Sequence, residues 1–233
     1  MLFLAVFLGF IAENIREHYV ERHREHEYIE LLADDLEKDK VILHQQIPQM
    51  RTAIRGLDSL IGQVYAYLDG KGDTRQLYYG YHHYCRNAVT VQLSESAVNQ
   101  LKNSGNIRLI RDKQTARLIS ELEVGFQGLR EATQFLKERQ EDPSAFGLAI
   151  FDFAAYSKAN RTADGGFNIN DSGFLQLSYQ PALNETSPVR LKEFASHVGY
   201  YRNAFEAYVS KLESAVPEVD NSIHYLKKTY SLD

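Results

Sequence analysis

Residues 29–68, IELLADDLEKDKVILHQQIPQMRTAIRGLDSLIGQVYAYL, decide how this chain is built. Ile29, Leu36, Leu43, Met50, Leu57 and Val64 recur every seven residues, and all six are apolar. A companion stripe begins at Leu32, lapses at Asp39 and Gln46, and resumes one position later at Ile47, Ile54, Ile61 and Leu68. Seven-residue spacing sustained over this length predicts one helix packed lengthwise on another, with a left-handed sense. Pro48 lacks an amide proton and crowds the carbonyl four residues back, so it kinks or ends a helix. The stripe keeps its phase across Pro48, which favours a kink over a loop.

The same pattern returns near the far end of the sequence, over residues 188–230. Leu191, Val198, Phe205, Leu212, Val219 and Leu226 fill one heptad position there. Phe194, Tyr201, Tyr208 and Ala215 fill the other, shifting later to Ile223 and Tyr230, and Pro217 is expected to add a kink. Like length and like pattern predict that the two helices pair antiparallel. Heptads are equally compatible with pairing to a second copy, so the stripes leave the oligomeric state open.

Ahead of the first stripe, residues 1–12 read MLFLAVFLGFIA and carry no charge. At about 1.5 Å per residue they cover roughly 18 Å, against a hydrocarbon core of roughly 30 Å that takes about 20 residues to cross. No basic n-region precedes the run and no small-residue cleavage site follows it, which argues against a signal peptide. The alternative is a buried core helix. The abrupt charge that follows favours the C-terminal part of a transmembrane helix, apparently truncated, meeting water.

Residues 13–40 hold ten acidic and five basic side chains, which accounts for the whole formal charge of −5. Glu13, Glu17, Glu21 and Glu25 form an i,i+4 ladder beside His18, Arg22 and His26. A helix polar nearly all round bridges solvent. Residues 13–27 are therefore expected as a charged helical neck, and 28–233 as the bundle domain.

Between the two stripes the elements are shorter. Asp69 to Asp73 read as a turn, followed by the aromatic run YYGYHHYC over 78–85. His82 and His83 among these tyrosines suggest metal or haem ligation on one reading, and a half-buried amphipathic segment on the other. Neighbours on a helix point about 100° apart, so the two imidazoles do not readily share one metal. Ser94 is expected to cap a helix ending near Asn103 with Gly105 at C′, and Asp112 to cap the next. That helix should bury Ile119, Leu122, Phe126, Leu129 and Leu136, with Gly125 and Gly128 admitting a close neighbour. Asp142 and Pro143 read as the N-cap and first-turn proline of a short helix after it. Residues 160–187 form a long loop rich in Gly, Asn, Asp and Ser. Asp164, Asn168, Asn170 and Asp171 in it do not match an EF-hand spacing.

Composition sets the outer bounds. A chain of 233 residues, 44% hydrophobic and 24% charged with five prolines, suits an all-α fold: an N-terminal membrane helix running into an elongated antiparallel bundle or coiled coil. Mild acidity and the lack of any run of three Lys or Arg argue against nucleic acid as a partner. The lone Cys85 excludes an intramolecular disulfide.

The stretch LFLAVFLGFIAENIREHYVERHREHEYIELLADDLEKD, together with LKNSGNIRLIRD, resembles an uncharacterised family of single-pass, membrane-anchored helical proteins of Bacteroidetes-type bacteria. In that family a basic segment leads into one membrane helix, a long charged helix follows, and an L-x-x-S-G-x-x-x-L-I element resembles Leu101, Ser104, Gly105, Leu109 and Ile110 here. The two matches cover about a third of the chain. They imply a membrane anchor and no catalytic residues, and this chain departs from the family at its start. Arg16, Arg22 and Arg24 would draw the neck towards the cytoplasm. The family's basic segment would draw the other way, and the resemblance implies an inner-membrane protein with a periplasmic C-terminal domain.

No C-x-x-C, G-x-S-x-G, Walker A, dinucleotide fingerprint or H-E-x-x-H occurs, and no histidine has Glu three residues before it. His23 and His26, the histidine pair at i,i+3, read as part of a solvated face. The expectation is a non-enzymatic membrane-anchored envelope protein, a scaffold or interaction module with a protein partner or a second copy, with no catalytic, cofactor-binding or metal-binding residues assigned. A sensory or ligand-binding bundle is the alternative, motivated by residues 78–84 and the long loop. A metal-dependent enzyme using His82 or His83 comes third.

Overall fold

The fold, a computed structural model, is described for residues 2–86, 89–103, 105–161, 166 and 172–232. The described residues form helices and connections, with no extended strand among them. In chain order these are α1 (Leu2–Leu68), α2 (Thr74–Gly80), a π-helical turn (Tyr81–Cys85), α3 (Ser96–Asn103) and a 3-10 turn (Asn106–Leu109). Then come α4 (Lys113–Ile150), α5 (Phe153–Ala159), a second 3-10 turn (Ser172–Gln176) and α6 (Pro188–Tyr230). The all-α class is as expected, and α6 has the bounds read from its stripe.

By its contacts the chain divides into two compact units. The first comprises Met1–His44, Gln92–Leu129 and Glu213–Asp233, the second Gln45–Val91 and Arg130–Leu212. α1, α4 and α6 each give one portion to each unit.

In the first unit the core is built from Ile29, Leu32, Leu36 and Leu43 of α1, Val98 and Leu101 of α3, Ile119 of α4, and Val219, Ile223 and Leu226 of α6. Lys40 pairs with Asp220 at 2.7 Å and Glu37 with Lys227 at 3.2 Å. The Tyr230 hydroxyl donates to Glu25 at 2.9 Å. Residue numbers fall along α6 as they rise along α1, so the two portions run antiparallel here. In the second unit Met50, Leu57 and Val64 meet a core that includes Leu191, Phe194, Val198, Tyr201 and Phe205. Arg51 pairs with Glu206, and Arg202 reaches Asp58 at 2.9 Å, which is again antiparallel. Every residue of the two main heptad positions is buried.

α1 runs on through Pro48, as its stripe implied. Three local expectations change. Pro143 also lies inside a helix that runs on through it, so α4 does not end at Asp142. Its end comes at Ile150, where the backbone turns and the Asp152 carboxylate accepts from the Ala154 amide to cap α5. α3 is capped by another helix rather than by Ser94: Asp35 of α1 accepts from Ser96 Oγ at 2.6 Å and from the Ala97 amide at 3.2 Å. At Gly125 a methyl group would meet nothing within 4 Å, so no neighbour approaches closely there. Gly105 does adopt the left-handed conformation, φ 67°, that a C′ glycine provides, and Asp112 does cap α4 by accepting from the Thr115 amide at 2.7 Å.

The calcium-type residues Asp164, Asn168, Asn170 and Asp171, most of the 160–171 part of the expected loop, and Ser104 lie outside the described residues.

The core and the surface pairs differ in what they contribute. Leu57→Ala deletes a side chain with no exposed surface and should cost about 2–5 kcal/mol. Lys40→Ala, which breaks a solvated pair, should leave the urea midpoint nearly unchanged. Equilibrium urea denaturation of both variants checks this contrast.

Candidate functional site

The second unit concentrates its aromatic residues around the π-helical turn. A π turn adds one residue to the helical repeat and reorients the side chains that follow, and such turns recur at functional sites. Here it follows α2, whose N-terminus is fixed by Asp73: the carboxylate accepts from the Arg75 amide at 2.9 Å and holds the Arg75 guanidinium. Arg75 then donates to the Leu177 carbonyl at 2.8 Å, tying α2 to the chain after the second 3-10 turn.

Tyr78 and Tyr81 carry the scaffold. The Tyr78 hydroxyl donates to the Ala182 carbonyl at 2.8 Å and accepts from the Asp152 amide at 2.9 Å, so one oxygen joins two connections distant in sequence. Tyr81 donates to the Ser144 carbonyl at 2.7 Å and stacks on Phe151, centroids 4.4 Å apart and 9° from parallel. Its ring lies over Gly147, where any Cβ would collide with it. Burial pushes the Tyr81 phenol up to about 12. The Cys85 thiol, wholly buried, is pushed up as well, which keeps it protonated and unreactive.

His82 sits inside this cluster with 2% of its surface exposed. Its imidazole stacks on Tyr156 at 4.0 Å and on Phe174 at 5.5 Å, with Tyr81 edge-on at 4.8 Å. The Arg86 guanidinium covers the outer rings, 5.0 Å from Phe153 and 5.5 Å from Tyr156. His83 is exposed and stacks on Tyr79 at 5.1 Å. The turn therefore separates the two histidines, one buried and one in solvent, and does not bring them to a common ligand. Among the described residues no three His, Cys, Asp or Glu side chains converge on a metal-sized site. What the arrangement offers chemically is a set of stacked π faces around an imidazole, closed by a cation.

Several residues of this cluster carried no signal in the sequence. Phe151, Phe153 and Tyr156 follow the end of α4, and Phe174 belongs to a five-residue turn. None sits in a repeating pattern that periodicity detects. Asn160, the first residue of the expected loop, is 1% exposed; it accepts from the Gly173 amide at 3.2 Å and so fixes that turn. His23 and His26, read as part of a solvated face, are both exposed: His23 lies 3.3 Å from Glu27, and His26 Nε2 is 3.1 Å from the Tyr230 carbonyl.

No family model matches the chain, and no curated protein or solved structure matches it either.

Two glycine-to-alanine substitutions should act with opposite sign. In a helix the change alone is favourable by up to about 1 kcal/mol, and Gly125→Ala, made in open space, should show that gain. Gly147→Ala drives a methyl into the Tyr81 ring, and overpacking of about 1–3 kcal/mol outweighs the gain. Tyr78→Phe, which leaves the Asp152 amide and the Ala182 carbonyl without their partner, should cost about 1–3 kcal/mol. Thermal and urea unfolding of the three variants measures all of these.

Proposed function

We propose that the chain is a non-enzymatic, membrane-anchored protein of a bacterial envelope, in which the N-terminal turns of α1 enter the bilayer and the helical bundle serves as a scaffold for a protein partner. One observation carries this reading. Phe3, Leu4, Val6, Phe7, Leu8, Phe10 and Ile11 are all exposed, and the sector of the helix between them carries only Ala5, Gly9 and Ala12. A helix apolar on every side, with no protein packed on any side, has hydrocarbon as its favourable solvent.

Charge supports the same reading. From Glu13 to Arg24 nearly every side chain is exposed, with Arg16 paired to Glu13 and His18 3.7 Å from Glu21. The first buried residue is Glu25, which is 7% exposed and accepts from the Arg111 amide at 2.9 Å, while the Arg111 guanidinium reaches Glu21 at 3.2 Å and His18 at 3.1 Å. An exposed, charged stretch between the apolar turns and the first buried residue is what a solvated neck requires. No described helix is long and apolar enough by itself to cross a membrane. Residues 2–12 reach about 16 Å, roughly half the hydrocarbon thickness. The heptad stripes of α1 and α6 support coiled-coil-type packing in the bundle, and the resemblance favours a periplasmic placement.

A ligand-sensing bundle built on the aromatic cluster around His82 is the second reading. It would require a small molecule that raises the unfolding temperature of wild-type protein and not of a Tyr156→Ala variant.

The anchor is tested by flotation with vesicles of phosphatidylethanolamine and phosphatidylglycerol. Wild-type chain should rise with the lipid, and a Phe3→Glu, Phe7→Glu, Phe10→Glu variant should stay in the dense fraction with its helical circular dichroism unchanged. Wild-type protein that remains unbound would overturn the anchor. Crosslinking in its own envelope then checks the scaffold role, which fails if no second protein is captured.

A further inference from the structure

The one lapse in the apolar stripes that becomes fully buried is Asp39, with no exposed surface. It stands one turn from Asp35 on the same face of α1, at the i,i+4 spacing that places two Cβ atoms about 6 Å apart. These two carboxylates hold the segment 92–103, which covers this part of α1 in the first unit. Asp39 Oδ1 accepts from the Ser94 amide at 2.7 Å, while Asp35 Oδ2 accepts from Ser96 Oγ and the Ala97 amide. The clasp presses Ala97, Val98 and Leu101 into the core, each 3% exposed or less.

The surroundings of Asp39 suit a neutral acid better than an ion. Its Oδ2 is buried without a hydrogen-bond partner, and a carboxylate oxygen desolvated in that way is costly while charged. On α1, Asp35 adds a like charge and Lys38 an opposite one, but Lys38 extends to Asp35 at 3.5 Å and is 65% exposed. The clasped segment adds Glu95, again of like charge. The charged groups of α6 at this level, Asp220 and Lys227, pair with Lys40 and Glu37. Among the described residues none supplies Oδ2 with a donor, so a proton on the carboxyl removes the charge that burial makes costly.

We propose that residues 92–103 form a proton-gated strap, held on α1 by the Asp35–Asp39 pair while Asp39 carries a proton and loosened when that proton leaves. Release exposes the apolar face of α3 together with the α1 surface beneath it. The direction follows from burial, which raises the Asp39 carboxyl from 3.8 to about 6, the neighbouring carboxylates adding to it and the Ser94 amide and Lys38 opposing. The docked strap then binds its proton to a higher pH than the open one. Docking is strongest below about pH 4, weakens as pH rises towards 6, and is flat above that. The device is independent of the membrane anchor.

Amide hydrogen exchange on the full chain between pH 3.5 and 8, corrected for the intrinsic pH dependence of exchange, tests it. Protection of the Ser94 and Ala97 amides should fall by up to tenfold per pH unit between about pH 4 and 6, about a hundredfold in all. Amides of α6 in the second unit should not follow. Asp39→Asn, which keeps an acceptor for the Ser94 amide and cannot ionise, should abolish the pH dependence. Should that variant not fold, carbon NMR of the wild-type Asp39 carboxyl decides, with a midpoint near 6 expected. Strap protection independent of pH, the same slope in Asp39→Asn, or a midpoint near 4 would each overturn the proposal.

Discussion

Withdrawing the heptad stripes of α1 and α6 from water is the constraint on which both units depend. Each buried leucine-sized side chain contributes about 1.5–3 kcal/mol, and Ile29 to Val64 and Leu191 to Leu226 supply twelve such positions on two helices. Among the described residues no other pair of helices carries stripes of that length. α4 has fewer buried residues, Ile119, Phe126 and Leu136 among them, and packs beside a pairing that α1 and α6 define. The charged residues that accompany the seam, such as Lys40 with Asp220 and Arg202 with Asp58, fix register more than they add stability.

Where regular helix stops, side chains supply the hydrogen bonds that the backbone ladder no longer makes. Asp35 serves the first amides of α3, Tyr78 joins Asp152 to Ala182, Asn160 takes the Gly173 amide, and Gln140 donates to the Cys85 carbonyl at the end of the π turn. Buried backbone groups need partners wherever the chain is irregular. In these instances the partners come from residues 13 to 104 positions away. The π turn shows the result: it is held by long-range contacts to Phe151, Tyr156 and Phe174, not by local propensity.

That division explains what the sequence made legible. Heptad periodicity is a property of one helix at a time, so the stripes of α1 and α6, their antiparallel sense and the passage of α1 through Pro48 could be read directly. Local capping could be read where cap and helix adjoin, as with Asp112 and Gly105. It failed at Ser94, because the cap of α3 belongs to Asp35, 62 residues away from Ala97. It failed at Asp142, because a proline is tolerated inside a helix long enough and packed enough to bridge the missing bond. The aromatic cluster was half visible: the run over 78–85 stood out, but the rings that enclose His82 come from segments without periodicity. Asp39 looked like a gap in a stripe, and only its burial gives the gap a meaning.

The α1–α6 pairing also imposes an order on the chain's birth. Contacts such as Arg51 with Glu206 and Glu25 with Tyr230 join residues 155 and 205 positions apart. At roughly 5–20 residues per second of synthesis, the apolar stripe of α1 waits about ten to forty seconds before the surface made to cover it exists. Until then α1 carries its apolar stripe without the counterpart that buries it. The same topology by which α1 and α6 cover one another's stripes thus leaves the first stripe uncovered until synthesis is nearly complete.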